Sequence, residues 1–162
     1  MEPDPEPPHR RGGHLAAELG VPARAVDSPE EAVTGAGVVA ACTLSTTPVV
    51  RGAWLAPGCT VVSVGSFEPT RREVDPDVVR RAAAVVVDDA GTAAGHAGPV
   101  VDALRDGLLT PDALIPLGEV LTGRRGARTA PEDIVYYNST GLGIQDAAAA
   151  WAVIRAAKEA AE

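Results

Sequence analysis

GVVAACTLSTTPVVRGAWLAPGCTVVSVGSFEPTRREVDPDVVRRAAAVVVDD, residues 37–89, decides the fold. Three runs in it are continuous and rich in β-branched residues: GVVAACT (37–43), TVVSVG (60–65) and AAVVVDD (83–89). A strand with one wet face alternates apolar and polar residues. A continuous run fits a strand covered on both faces, as in a parallel sheet. Between the second and third runs, DPDVVRRA (75–82) predicts a helix, with Asp75 as N-cap and Pro76 in the first turn. Strand, helix, strand in succession means an α/β, doubly wound architecture with right-handed crossovers.

Working outward, PVVDALRDGLL (99–109) carries Val100, Leu104 and Leu108 at helical spacing. GRRGARTAP (123–131) is a polar loop, and DIVYYNS (133–139) predicts a further strand. From TGLGIQD the chain predicts one long helix to the terminus, with Ser139 as its N-cap and Arg155–Glu159 as an i,i+4 pair. Its small residues predict close packing on another helix or chain. Upstream, Ser28 before Pro29, Glu30 and Glu31 marks a helix start. RAV (24–26) is a short strand candidate, and HLAAELG (14–20) a short helix ending at Gly20. Residues 1–13, where Pro3, Pro5, Pro7 and Pro8 alternate with acids, predict a disordered lead.

Composition narrows the partners. The 162 residues hold 22 acidic and 14 basic side chains, a net charge of −8. That balance argues against nucleic acid and against an anionic membrane surface, which need a basic footprint. No apolar run approaches the ~20 residues that span a bilayer, and the lead does not read as a signal peptide, so a cytoplasmic protein is expected. Lys158 is the one lysine and sits near the end of an exposed helix, so no Schiff-base lysine is credible. Cys42 and Cys59 lie in apolar contexts without CxxC spacing and read as reduced, buried and structural. No metal site is expected: Asp88-Asp89 lacks a third ligand nearby and fits a helix cap better.

In parallel α/β sheets ligands bind beyond the carboxyl ends of the strands. Here those ends are Cys42-Thr43-Leu44-Ser45, Val64-Gly65-Ser66-Phe67 and Val87-Asp88-Asp89. The hydroxyls of Thr43, Ser45 and Ser66 either meet a nucleotide or close their own turns. A GxGxxG turn is absent: the near match Gly35, Gly37, Ala40 precedes a strand instead of following one. His9 and His14 lie in or beside the lead, and His96, between Gly95 and Gly98, reads as a solvated loop histidine, not a catalyst. Arg71-Arg72 and Arg124-Arg125 read as solvated surface.

Several separate motifs in order carry a resemblance. CTLSTTPVVRGAWLAPGCTVVSVGSFEPTRREVDPDVVRRAAAVVVDD, then DALRDGLL, LGEVLTGRRGAR and NSTGLGIQDAAAA, covering roughly 14–150, resemble the ornithine cyclodeaminase/μ-crystallin family. The resemblance implies a Rossmann-type domain, a second domain for substrate and dimerisation, and hydride transfer with NAD or NADP. Relatives include ketimine reductases, amino-acid dehydrogenases and ornithine cyclodeaminases, acting on small imino or amino acids as homodimers. By the same resemblance Thr43, Val64, Gly65, Ser66, Phe67 and Ser139 would contact the cofactor, and Thr140 and Gly141 the substrate. No catalytic residue carries over. Cyclodeaminases have an aspartate where this chain has Phe67, which accepts no proton, so VGSF looks more like the imine-reductase branch and substrates such as Δ1-pyrroline-2-carboxylate. A lysine four residues further on in some cyclodeaminases is Arg71 here.

The family's first half, with its GxGxxG turn and its substrate-binding arginine and lysine, has no counterpart in these residues. The expectation is a partial Rossmann-type sheet of about four mostly parallel strands lacking strands 1 and 2, plus a long C-terminal helix. In the order 3-2-1-4-5-6 this leaves GVVAACT as an unpaired apolar edge and RAV without a neighbour. The expected divisions are 1–13 as the lead, 14–136 as a partial NAD(P)-binding domain and 137–162 as the helix of the dimerisation and substrate domain. Three readings remain: a truncated chain inactive alone, the back of a longer enzyme (ornithine cyclodeamination included) whose start lies upstream, or a non-enzymatic interaction module.

Overall fold

The computed structural model describes residues 16–160. The expected lead, with His9, His14 and Arg10-Arg11, lies outside the described residues. One five-stranded, all-parallel sheet forms the body, from β1 (Val38–Ala41), β2 (Thr60–Ser63), β3 (Ala82–Val87), β4 (Leu114–Pro116) and β5 (Ile134–Asn138). The order is β1-β2-β5-β3-β4. The four apolar runs read from the sequence form four of these strands. The fifth, Leu-Ile-Pro, is three residues long and ends on a proline, which an edge position tolerates.

The last strand in sequence is the middle one in space. Tyr136 of β5 pairs with Val61 of β2 on one side and Val85 of β3 on the other. A simple 4-5-6 succession of neighbours therefore does not hold, and the turn after β5 is brought to the centre of one sheet edge. RAV (24–26) forms no strand. No described segment offers it a ladder, and an unpaired extended segment has nothing to fix it.

Among the described residues six helices precede, separate or follow the strands: α1 (Pro29–Val33), α2 (Pro76–Arg81), α3 (Ala90–His96), α4 (Gly98–Arg105), α5 (Leu117–Leu121) and α6 (Gly143–Glu159). A further helical turn covers 16–19 and ends at Gly20. The caps match their sequence signals. Ser28 Oγ accepts from Glu31 N at 3.2 Å, Asp75 Oδ1 from Val78 N at 3.1 Å, and Asp89 Oδ1 from Thr92 N at 2.7 Å. Ser139 is not the cap of the last helix. That helix starts four residues later, after Leu142, because Ser139 is held elsewhere (below).

The two sheet faces are covered unequally. Val39, Ala41, Val61, Val85, Val87, Ile134 and Tyr136 face a core completed by Val33, Val78, Val79, Ala93, Val100 and Ala103 of α1 to α4. On the other face Ala84, Val86, Val135 and Ile115 meet Leu117 and Val120 of α5. That second layer stops short of β1. Val38 is 68% exposed and Ala40 is exposed, so β1 is the unpaired apolar edge expected from the strand order. No residue of α6 is buried, although Ala147–Ile154 is eight apolar residues in a row. Among the described residues, no helix is long and apolar enough to cross a membrane.

Candidate functional site

Parallel strands place all their carboxyl ends on one edge. The turns after β1 (Cys42 to Ser45), β2 (Val64 to Phe67), β5 (Ser139 to Leu142) and β3 (Asp88, Asp89) therefore form a continuous rim. Every residue assigned to cofactor or substrate by resemblance lies on it: Thr43, Val64, Gly65, Ser66, Phe67, Ser139, Thr140 and Gly141.

Two carboxylates that the sequence reading did not single out for this role tie the rim together. Glu73 is wholly buried. Its Oε1 accepts from Thr43 N at 2.5 Å and Thr43 Oγ1 at 2.9 Å. Its Oε2 accepts from Ser63 Oγ and Gly65 N, both at 2.7 Å. Its own N–H donates to Ser66 Oγ at 2.9 Å, and Ser66 Oγ lies 3.0 Å from Ser63 Oγ. One side chain thus joins the β1 turn to the β2 turn. Both donors of Thr43 are engaged, and the Ser66 hydroxyl points inward, fully buried. What these residues present outward is backbone and the exposed apolar surface of Leu44, Val64 and Phe67.

Asp88 does the same for the other half. Its Oδ2 accepts from Ser139 Oγ at 2.9 Å and from Thr140 N and Gly141 N at 2.8 Å each, and Oδ1 accepts from the Tyr137 hydroxyl. Of the Asp88-Asp89 pair only Asp89 caps a helix. Asn138 links the halves: its Oδ1 accepts from Tyr136 Oη at 2.7 Å, and its Nδ2 reaches Ser66 O at 3.5 Å and Ser139 O at 3.3 Å. Burial raises the Tyr136 hydroxyl pKa, and burial together with the Asp88 hydrogen bond raises that of Tyr137, so both stay protonated donors.

Burial alone would push the Asp88 carboxyl up. Its hydrogen bonds from Tyr137, Ser139, Gly141 and Thr140 outweigh that, and its pKa lies below the ordinary carboxylate value. A depressed native pKa adds stability that is complete above the unfolded value, ~3.9, and is lost as pH falls through the native value. Wild-type protein should therefore lose stability in urea between neutral pH and pH about 3, and Asp88→Asn should lose distinctly less over that interval. Equal losses in the two proteins would show that Asp88 is not the group being titrated.

Other candidates resolve plainly. Cys59 is buried, with its thiol pKa raised by burial, but Cys42 is exposed at the rim, because β1 alternates out and in and Cys42 follows buried Ala41. Arg72 is not free surface: it forms a two-pronged pair with Asp102 at 2.5 and 3.0 Å. Arg71 stacks on Phe67. Arg124 and Arg125 are exposed, as read. His96 ends α3, exposed. Among the described residues no cluster of three or more His, Cys, Asp or Glu could hold a metal.

A parallel sheet with turns converging at its carboxyl edge is a Rossmann-like arrangement. The Ornithine cyclodeaminase/mu-crystallin family profile matches residues 10–161, and the chain belongs to that family. The ketimine reductase mu-crystallin of Mus musculus is 34% identical over 127 residues, which are 78% of this chain and 38% of that protein. The iminosuccinate reductase of Paracoccus denitrificans, solved with NAD+, superposes with a TM-score of 0.85 at 30% identity, covering 98% of this chain and 48% of that one. The Δ1-pyrroline-2-carboxylate reductase of Thermococcus litoralis, solved with NADH and L-proline, gives a TM-score of 0.79 at 26% identity, covering 85% and 42%. The chain thus spans between about two fifths and one half of the length of these relatives.

Proposed function

We propose that the rim holds the nicotinamide end of NAD or NADP in an enzyme that reduces the C=N bond of a small imino acid. The observation that carries this reading is the rim itself. Four turns are locked together from below by Glu73, Asn138 and Asp88, while the outward surface is apolar at Leu44, Val64 and Phe67. Thr140 Oγ1 and, beside Phe67, Arg71 Nη1 are buried with no hydrogen-bond partner. An apolar shelf with unmet polar groups beside it suits a flat ring bearing an amide. The bound dinucleotide would supply the hydride. Thr43, Val64 and Phe67 would touch it, and buried Gly65 and Ser66, with Ser139, would set its position by holding the turns, with Thr140 and Gly141 against the substrate.

Phe67 favours imine reduction over cyclodeamination, since a phenyl ring neither takes a proton nor pairs with an ammonium. Glu73 and Asp88 each already accept four hydrogen bonds, so neither is free to move a proton. The proton donor and the anchor for the substrate carboxylate would come from outside these residues. In this reading 14–136 is nucleotide-binding, and α6 is enclosed by a dimerisation and substrate domain. These 162 residues alone then bind the dinucleotide weakly and do not turn over.

Titrating isotope-labelled protein with millimolar NADH should shift the amide resonances of Thr43, Gly65 and Ser139 to Gly141, leaving those at the opposite sheet edge (Gly58 to Thr60) unmoved. With Δ1-pyrroline-2-carboxylate added, NADH absorbance should stay constant. No shift at the rim would overturn the cofactor reading. Turnover would overturn the division of labour.

A further inference from the structure

We propose that Arg71 and Phe67 act together as a redox-state filter, favouring the neutral dihydronicotinamide ring over the cationic oxidised one. The inference rests on the cofactor reading above and adds what the rim prefers. Arg71 Cζ lies over the Phe67 ring, 4.7 Å from its centroid. That is inside the ~6 Å range of cation–π attraction. The side chain of Arg71 is only 20% exposed, and its Nη1 is buried without a hydrogen-bond partner. Its Nε pairs with Glu68 Oε2 at 3.1 Å, but that carboxylate is half-exposed and screened by water. One nitrogen of the guanidinium is thus dry and without a hydrogen-bond partner, while the group as a whole lies over an aromatic ring.

The arrangement is held in place. The Arg71 N–H donates to Glu68 O at 3.0 Å. The Arg71 carbonyl fills the space a side chain on Gly98 would need, which pins the turn against the start of α4. On the other side Ser66, next to Phe67, is anchored by Glu73 N and Asn138 Nδ2. Phe67 is 37% exposed, so part of its surface remains open at the rim.

An aromatic face carries partial negative charge and attracts cations. A cation already seated on one face draws that density toward itself and leaves the open surface a poor partner for a second cation. Oxidised nicotinamide carries a positive charge and the reduced ring does not. The backed Phe67 therefore discriminates against NAD+ relative to NADH. An aspartate at the same position would do the reverse. Of the other rim carboxylates, Glu73 and Asp88 have their oxygens filled by donors, and Asp89 is committed through Oδ1 to capping α3. Where both forms are present, such a preference fills the rim with the dinucleotide that imine reduction consumes; it does not alter the overall equilibrium of the reaction.

The test is the ratio of NAD+ to NADH dissociation constants for the 162-residue chain, read by amide-shift titration. Wild type should bind NADH more tightly. Phe67→Leu and Arg71→Gln should each lower the ratio, by about threefold to tenfold, the range a cation–π contact spans. Arg71→Lys, which keeps the charge, should hold most of the preference, and Phe67→Asp should invert it. Retained binding of both nucleotides with an unchanged ratio in Phe67→Leu and Arg71→Gln would overturn this inference and leave the cofactor reading intact. Failure of wild type to bind either nucleotide would overturn both. If Arg71→Gln unfolds, shown by its melting curve, Phe67→Leu at its partly exposed position decides alone.

Discussion

Glu73→Ala should be among the most damaging substitutions in this chain, costing about 1–3 kcal/mol for the one buried donor left with no other acceptor. That donor is Gly65 N; the buried Ser63 hydroxyl keeps Ser66 Oγ as an alternative partner. The two donors of Thr43 are left out because Thr43 is exposed and water replaces the lost acceptor. The void left by the side chain adds to the cost. A loss of this size is a large part of the ~5–15 kcal/mol that holds an ordinary domain together. Urea unfolding at neutral pH measures it. Glu73→Gln should be milder, since an amide keeps one acceptor oxygen but turns an N–H₂ toward groups that are themselves donors. A Glu73→Ala loss below about 1 kcal/mol would mean that the buried donor finds another partner and that the rim is held by something else.

Why the sequence shows some of this and hides the rest is a matter of which partner leaves a mark. The three long apolar runs and the VYY of β5 are legible because unbroken β-branched stretches mark strands of a parallel sheet, even though β1 leaves one face open. Asp75 and Ser28 are legible because a cap bonds a backbone N–H three residues on, a fixed local spacing. Glu73 is not. Two of its four donors are the backbone N–H groups of Thr43 and Gly65, 30 and 8 residues away, and a backbone N–H has no identity to read. Asp88 and Asp89 look alike in sequence. The first closes the Ser139 to Gly141 turn, 51 to 53 residues away, and only the second caps α3. A late signal existed in Asn138, a polar residue ending an apolar strand, which marks a buried polar contact. The insertion of β5 between β2 and β3 left none, since pairing order is set by packing and not by any strand's own composition. The family motifs supplied the rim residues, but not the fact that the hydroxyls of Thr43 and Ser66 face their own protein.

Gly65→Ala should be as severe as losing Glu73, for a steric instead of a polar reason. A Cβ at position 65 would overlap the carbonyl oxygen of Thr43 outright and lie 2.7 Å from the Thr43 carbonyl carbon and 2.5 Å from Glu73 Oε1. Two of these atoms are backbone, so no side-chain rotation relieves the clash. The turn after β1 must separate from the turn after β2, and the Glu73 hydrogen bonds stretch with it. Overpacking of this kind costs about 1–3 kcal/mol and more where backbone must move. Here the upper end is expected, with the amide resonances of Thr43 and Ser63 displaced and nucleotide binding lost. Gly95→Ala is the matched control. Gly95 lies within α3, is exposed, and has nothing within 4 Å of a would-be Cβ. Glycine inside a helix is worse than alanine by about 1 kcal/mol, so this variant should gain stability and leave the rim untouched. If Gly65→Ala melts with wild type while Gly95→Ala behaves as expected, the turns after β1 and β2 do not approach as closely as the carbonyl of Thr43 requires. The rim would then be four separate loops and not one surface, and a single flat ligand would have no shelf to lie on.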